Sequence, residues 1–114
     1  YFTMTNNSNC DLHTYIKGED AVWVDDPDAY TWTLNNSWSN GTRIYVLWYE
    51  RLYDEPTEDI ITTEEKIFYS NFGMDGSNPK HFGLKLQAPQ ADYENYFYGG
   101  GEMETTVTIS GVVA

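Results

Sequence analysis

The sequence predicts an all-β fold, a single antiparallel β-sandwich of about eight short strands that spans residues 1–114. Ten Tyr, five Phe and four Trp stand among the 114 residues, and aromatic residues favour the pleated, half-buried surface of a sheet. Short segments alternate between apolar and polar residues, which is the period of a strand. Turn-forming residues separate them as in a sandwich, whereas no stretch has a helical period with caps.

Eight segments have the composition of strands, and clusters rich in Gly, Pro, Asn, Asp or Ser separate most of them. They are residues 1–5, 11–17, 21–24, 29–34, 42–50, 60–70, 81–87 and 103–113. In five of them the alternation places a set of residues on one face: Phe2 and Met4; Leu12, Thr14 and Ile16; Tyr30, Trp32 and Leu34; Phe82, Leu84 and Leu86; and Met103, Val107 and Ile109. The connections resemble hairpins, which favours antiparallel pairing.

Four parts of the chain depart from clean alternation. Residues 21–24 are a short apolar run, and Glu64-Glu65 interrupts the segment at 60–70. Residues 54–59 are predicted to form a loop or at most one helical turn, because Pro56 lies among acidic residues. Residues 92–98 are ambiguous, and a run of three Gly follows them.

The segment at residues 42–50 is apolar on both faces. One face carries Ile44, Val46 and Trp48, and the other carries Tyr45, Leu47 and Tyr49. A strand with two apolar faces needs cover on both sides. We therefore expect this strand to lie at the centre of the fold, with Trp32 and Trp48 in the core.

The charge of the chain limits its partners. Its formal net charge is -12, from 18 acidic and 6 basic residues. Phosphate backbones would be repelled, and the chain has no basic stripe to counter this, so nucleic acid is not an expected partner. No apolar run approaches the ~18 residues that a membrane span needs, which predicts no membrane insertion.

Several features predict a secreted glycoprotein. The sequence begins at Tyr1 without a signal peptide, as a processed product would. Three N-x-S/T triplets begin at Asn6, Asn35 and Asn40, in turn-like stretches where glycosylation occurs. An Asn-rich and Ser-rich chain also produces such triplets by chance. Cys10 is the only cysteine, so the fold must rest on its core without an intrachain disulfide.

Catalysis is not predicted. No nucleophile elbow, zinc motif, P-loop or dinucleotide fingerprint occurs, and no cofactor is implied. His13 and His81 fall on polar strand faces, as surface imidazoles do. Paired carboxylates are sequence neighbours, which point to opposite faces of a strand and suit glycoside hydrolysis poorly. The acidic loops at residues 25–28 and 54–59 offer oxygen ligands for Ca²⁺ without the spacing of an EF-hand, and a calcium site there stays open.

Exposed aromatic residues are the strongest functional signal. Sugar rings stack on Trp and Tyr, and polar neighbours bind the hydroxyl groups. Trp38 lies in a polar loop, and Tyr93, Tyr96 and Tyr98 precede the run of Gly residues. We expect these four residues to bind a glycan or polysaccharide from a cell wall or surface, unless they cover the edge of the core.

The alternative function is structural. Residues 1–5 and 103–113 are both β-prone, and the latter follow a Gly-rich stretch. The last segment could leave its own domain and complete the sheet of a neighbour, as subunits of an extracellular filament do. Self-association through such a strand and glycan binding do not exclude one another.

Three segments of the chain resemble the thaumatin-like superfamily. Residues 2–12 resemble the opening strand of that family with its Asn-rich turn and Cys, residues 32–45 its Trp/Gly loop and following strand, and residues 65–86 a later pair of strands. The resemblance covers about half of the chain. It implies a β-sandwich that binds β-glucan or cell-wall carbohydrate. The chain departs from the family because it can form no internal disulfide, and no cleft residue of the family carries over.

Overall fold

The computed structural model describes residues 1–53, 57–76, 78–90 and 102–114. These residues form ten β-strands and no helix: β1 (Phe2–Met4), β2 (Leu12–Lys17), β3 (Ala21–Trp23), β4 (Thr31–Leu34), β5 (Ile44–Leu52), β6 (Thr57–Ile61), β7 (Lys66–Phe72), β8 (Lys80–Gln87), β9 (Met103–Glu104) and β10 (Thr108–Val113). The predicted all-β class is confirmed.

Ten strands replace the predicted eight because two segments each divide between two sheets. The segment predicted at 60–70 contains the end of β6 and most of β7, separated at Glu64-Glu65. β6 pairs with β5 in a seven-stranded sheet, whereas β7 pairs with β2 in a three-stranded sheet. β9 and β10 divide between the two sheets in the same way. The loop predicted at 54–59 is wrong for residues 57–59, which belong to β6.

The large sheet is built around β5, so the predicted central position of this strand is confirmed. The sheet has the order β1-β8-β5-β4-β3-β9. β6 lies on the same side of β5 as β4, because β4 pairs with Ile44 and Tyr45 while β6 pairs with residues 47–51. The β4–β5 pair is parallel, so the antiparallel prediction is wrong there. The connection at residues 35–43 doubles back and brings the start of β5 beside β4.

The small sheet has the order β10-β2-β7, with both pairs antiparallel. The β2–β7 ladder is irregular around Thr14. There the Thr14 hydroxyl accepts a bond from the backbone N–H of Tyr69 at 2.9 Å and donates to its carbonyl oxygen at 3.2 Å. The side chain thus replaces backbone pairing that the irregularity removes, which is why a buried polar residue is tolerated at this position.

The two sheets share one core, in which aromatic rings meet. Phe68 of the small sheet lies 4.8 Å from the ring of Tyr49 and 5.0 Å from that of Phe82, both in the large sheet. Most of the predicted inward set contributes: Ile16, Leu34 and Phe82 are buried, and Met4, Trp32, Leu84, Met103, Val107 and Ile109 pack against the core. Phe2 and Leu86 are exceptions, since they are 53% and 49% exposed.

Candidate functional site

Trp38 lies on a polar loop, residues 35–41, that is held down at both ends. The side-chain amide of Asn35 donates hydrogen bonds within the loop to Ser37 Oγ and to the carbonyl oxygen of Ser39. At the other end, the amide of Asn40 donates to the carbonyl oxygen of Ala88 at 2.9 Å. Between these anchors Trp38 is 52% exposed. The loop therefore presents a large apolar ring to solvent on a fixed backbone.

The ring of Trp48, on β5, packs against the ring of Trp38. Its centroid lies 5.8 Å from that of Trp38 in an edge-to-face arrangement. Trp48 is half-buried and stands outside the core cluster, so its predicted core position is wrong. The reason is the alternation of β5: Tyr45 and Tyr49 point into the core, and Trp48 therefore points to the opposite face of the sheet. We call this opposite face the outer face.

Charged residues continue the outer face beside Trp48. Lys85 lies directly opposite Trp48 in the β5–β8 ladder. Its ammonium group lies 3.1 Å from a carboxylate oxygen of Glu58 and 3.3 Å from one of Glu50. The hydrogen bonds with Glu58 and then Glu50 raise the pKa of Lys85 above its ordinary value. Lys85, Glu50 and Glu58 therefore place charged, hydrogen-bonding groups on one side of the aromatic pair.

A second exposed aromatic ring lies further along the outer face. Gly83 pairs with Glu50, and a Cβ atom added to Gly83 would lie 3.3 Å from the ring of Tyr1. Tyr1 therefore crosses β8 where the side chain is missing, with 91% of its surface exposed. Neither Tyr1 nor Trp48 was expected at a site; the alternation of β5 and the Gly at 83 were the signals that could have indicated them.

A polar cavity of about 330 Å³ opens where the Trp38 loop meets the β6–β7 connection. It is lined by Asn36, Thr62, Thr63, Glu64 and Lys66. Thr62 follows β6, whose Ile60 pairs with Trp48, and Asn36 lies two residues from Trp38 on the same loop. The cavity therefore shares the 35–41 loop and the end of β6 with the surroundings of the aromatic pair, while neither tryptophan lines it.

The aromatic pair and its neighbours form an amphipathic surface. An exposed indole offers an apolar face, and amide, hydroxyl, carboxylate and ammonium groups lie around it. Such a combination binds ligands that have both apolar C–H faces and many hydroxyl groups. In the described part of the chain no group of three or more His, Cys, Asp or Glu side chains is placed to hold a metal ion.

The three predicted glycosylation asparagines differ in placement. Asn6 is 4% exposed, and its amide nitrogen donates to the carbonyl oxygens of Cys10 and Phe72. A sugar on this nitrogen would replace one of its two hydrogens and break one of these bonds at a buried position, so the fold argues against Asn6 as an acceptor. Asn35 also uses its amide nitrogen twice, inside the loop. Asn40 donates a single bond and is partly exposed, which leaves one amide hydrogen for substitution.

Of the remaining predicted residues, the two histidines make contacts elsewhere, and the others are not described. Tyr93, Tyr96 and Tyr98 lie outside the described residues, as do Asp54 and Glu55 of the second acidic loop. His13 accepts a hydrogen bond from the backbone N–H of Asn71, and His81 contacts Thr3 Oγ1 through Nδ1. Both imidazoles thus serve strand and turn contacts.

No protein-family model matches the chain, and no curated protein or solved structure is significantly similar to it. The resemblance to the thaumatin-like superfamily therefore stays a prediction. Among the described residues there is no helix with the length and apolar character to cross a bilayer.

Proposed function

We propose that this chain is a non-enzymatic, secreted domain that binds a cell-wall or surface glycan through Trp38. The observation that supports this function best is a half-exposed tryptophan on an anchored loop, backed by a second tryptophan and bordered by hydrogen-bonding groups. Trp38 keeps about half of its surface exposed although it packs against Trp48, and this exposed half is the surface that a ligand would cover.

Column retention tests the proposal. Wild-type protein should be retarded on at least one of β-glucan, cellulose and chitin, and Trp38→Ala should elute without retardation while its stability falls by about 1 kcal/mol. Tyr15→Ala is the matched control, because Tyr15 lies on the small sheet and pairs with the exposed Ile67. If the wild type and Trp38→Ala elute alike on all three columns, the proposal is wrong.

A β-sandwich is the architecture that we propose for the two sheets. Support comes from the shared core, in which Phe68 of one sheet meets Tyr49 and Phe82 of the other. In such a sandwich the inner faces interdigitate, whereas Trp38, Lys85 and Tyr1 are exposed on the outer side of the large sheet.

A second candidate function is a subunit of an extracellular assembly that exchanges β10. This strand lies at the edge of the small sheet and pairs with β2. Val112 and Val113 are 50% and 72% exposed. The bond from Ala114 N–H to the Asp11 carbonyl shows which residues face β2; the backbone groups of Ile109, Gly111 and Val113 accordingly face the open edge. This edge has no charge or proline to block a further strand.

A disulfide lock tests the exchange. Val113 and Leu12 are opposite one another in a non-hydrogen-bonded pair, where the side chains are close enough for a disulfide. The variant Val113→Cys/Leu12→Cys, with Cys10→Ser to prevent mispairing, should remain monomeric when oxidised and assemble when reduced. Light scattering and electron microscopy measure both states, with Cys10→Ser alone as the control. A wild type that stays monomeric at every concentration would eliminate the exchange.

A further inference from the structure

We infer that the polar cavity beside Trp38 is a second subsite of the proposed glycan site, so that the ligand is an uncharged chain of at least two sugar units. This inference rests on the proposed glycan-binding function. It extends that proposal by specifying the length of the ligand, its charge and the residues that would bind its second sugar unit.

The cavity has the size and chemistry for one sugar unit. Its volume of about 330 Å³ lies near the lower end of the range for small-molecule pockets, about 300–1,000 Å³. Every lining residue is polar: an amide, two hydroxyls, a carboxylate and an ammonium group. These groups supply donors and acceptors together, which suits a ligand whose hydroxyls both donate and accept.

Several of these groups remain available for a ligand. Within the described residues, the side chains of Asn36 and Thr63 make no hydrogen bond. Thr62 instead fixes the connection, since its hydroxyl accepts from the backbone N–H of Glu64 and donates to its carbonyl, both at 3.2 Å. The wall of the cavity is thus held in shape by one threonine, while its neighbour and the facing asparagine are free to bind.

The position of the cavity makes it a continuation of the aromatic pair. Asn36 shares the anchored loop with Trp38, and Thr62 extends the strand whose Ile60 flanks Trp48. A ring stacked on Trp38 and a ring in the cavity would therefore be neighbours in one chain. Because Trp38 does not line the cavity, stacking and hydroxyl recognition would fall to two successive sugar units.

The charge of the site selects against acidic polysaccharides. Glu64 lines the cavity, and Glu50 and Glu58 flank Trp48 on the outer face. The nearby ammonium groups are engaged, because Lys66 lies 3.5 Å from Asp59 and Lys85 bridges two carboxylates. With a net charge of -12 on the chain, uronate or sulfate groups would be repelled.

Calorimetric titration with gluco-, cello-, laminari- and chito-oligosaccharides of increasing length tests the inference. Wild-type protein should bind a disaccharide or trisaccharide of one series about tenfold more tightly than its monosaccharide, a gain equal to about 1.4 kcal/mol. Oligogalacturonides of equal length should bind at least about tenfold more weakly.

Three variants separate the subsites. Asn36→Ala/Thr63→Ala should bind the trisaccharide as weakly as the monosaccharide, whereas Trp38→Ala should lose both. Ser70→Ala, an exposed position on the small sheet, is the control and should match the wild type. The second subsite alone is overturned if binding requires Trp38 but does not change with oligosaccharide length or with the Asn36→Ala/Thr63→Ala substitutions. Absence of binding to every sugar by the wild type overturns the proposed function and this inference with it.

Discussion

The indole of Trp38 meets the indole of Trp48 edge to face, with 5.8 Å between the ring centroids and 61° between the ring planes. One ring comes from an exposed loop and the other from the central strand of the large sheet. The contact fixes the position of a ring that is itself half exposed. The exposed ring of Trp38 is thereby held against β5, the central strand of the large sheet.

We predict a measurable coupling free energy between these two rings. Aromatic pairs contribute about 0.5–1.5 kcal/mol beyond the area that they bury, so the cycle Trp38→Ala, Trp48→Ala and the double variant should show that difference in the free energy of unfolding. Trp48→Ala should also weaken glycan retention, because Trp38 loses its support. Strictly additive free energies would show that the loop holds Trp38 without Trp48.

Asn6 should be required for stability. Its amide donates to two backbone carbonyl oxygens, and its side-chain oxygen accepts from the backbone N–H and hydroxyl of Ser8. Removing the Asn6 side chain leaves its buried hydrogen-bond partners unsatisfied, which should lower the free energy of unfolding by about 1–3 kcal/mol. Asn6→Ala should lose this amount in urea unfolding, and the exposed Asn9→Ala should change little. Mass spectrometry of secreted protein should find no glycan on Asn6; a glycan there would contradict the buried placement.

Gly76 should be sensitive to a single methyl group. Its φ is 65°, and an added Cβ would lie 2.7 Å from Asn7 Oδ1. Left-handed backbone alone costs a non-glycine residue about 1–2 kcal/mol, so Gly76→Ala should lower the free energy of unfolding by at least that much. Gly73 is the matched control, since nothing lies within 4 Å of its added Cβ. Equal stability of the two variants would refute the reasoning.

Alkaline pH should destabilise the fold through Tyr45 and Tyr49. Burial raises the pKa of both phenols, and for Tyr49 the nearby Asp59 adds to the effect. The unfolded chain therefore ionises first, near the ordinary pKa of about 10. The stability that the neutral phenols confer is complete below that pH and is lost as the pH rises toward the folded-state pKa values.

Urea unfolding measured between about pH 8 and pH 11 checks this slope. The variant Tyr45→Phe/Tyr49→Phe should lose less stability than the wild type over the same range. At pH 8 it should be less stable, because the Tyr45 hydroxyl lies within hydrogen-bond distance of the Glu19 carbonyl oxygen and of Thr105 Oγ1. A slope identical to that of the wild type would show that other groups control alkaline unfolding.

The sequence by itself determined the class of fold and its central strand. Alternation needs no knowledge of neighbours, because successive side chains of a strand point to opposite faces. The strand with two apolar faces is β5, and Ile16, Leu34 and Phe82 are buried where the pattern placed them. Turn residues likewise marked most strand ends, since backbone preferences at Asn, Asp, Gly and Pro are local.

Only the tertiary structure decided which sheet each strand joins and which polar residues become buried. The divisions between β6 and β7 and between β9 and β10 depend on long-range pairing, which leaves no local signal. Asn6 has the local signature of an exposed turn, yet partners up to 66 positions away bury it. Trp48 has the composition of a core residue, and the alternation of β5 was the local signal that places it on the outer face. The sheet divisions and the burial of Asn6 had no such signal, because they depend on contacts between residues far apart in sequence.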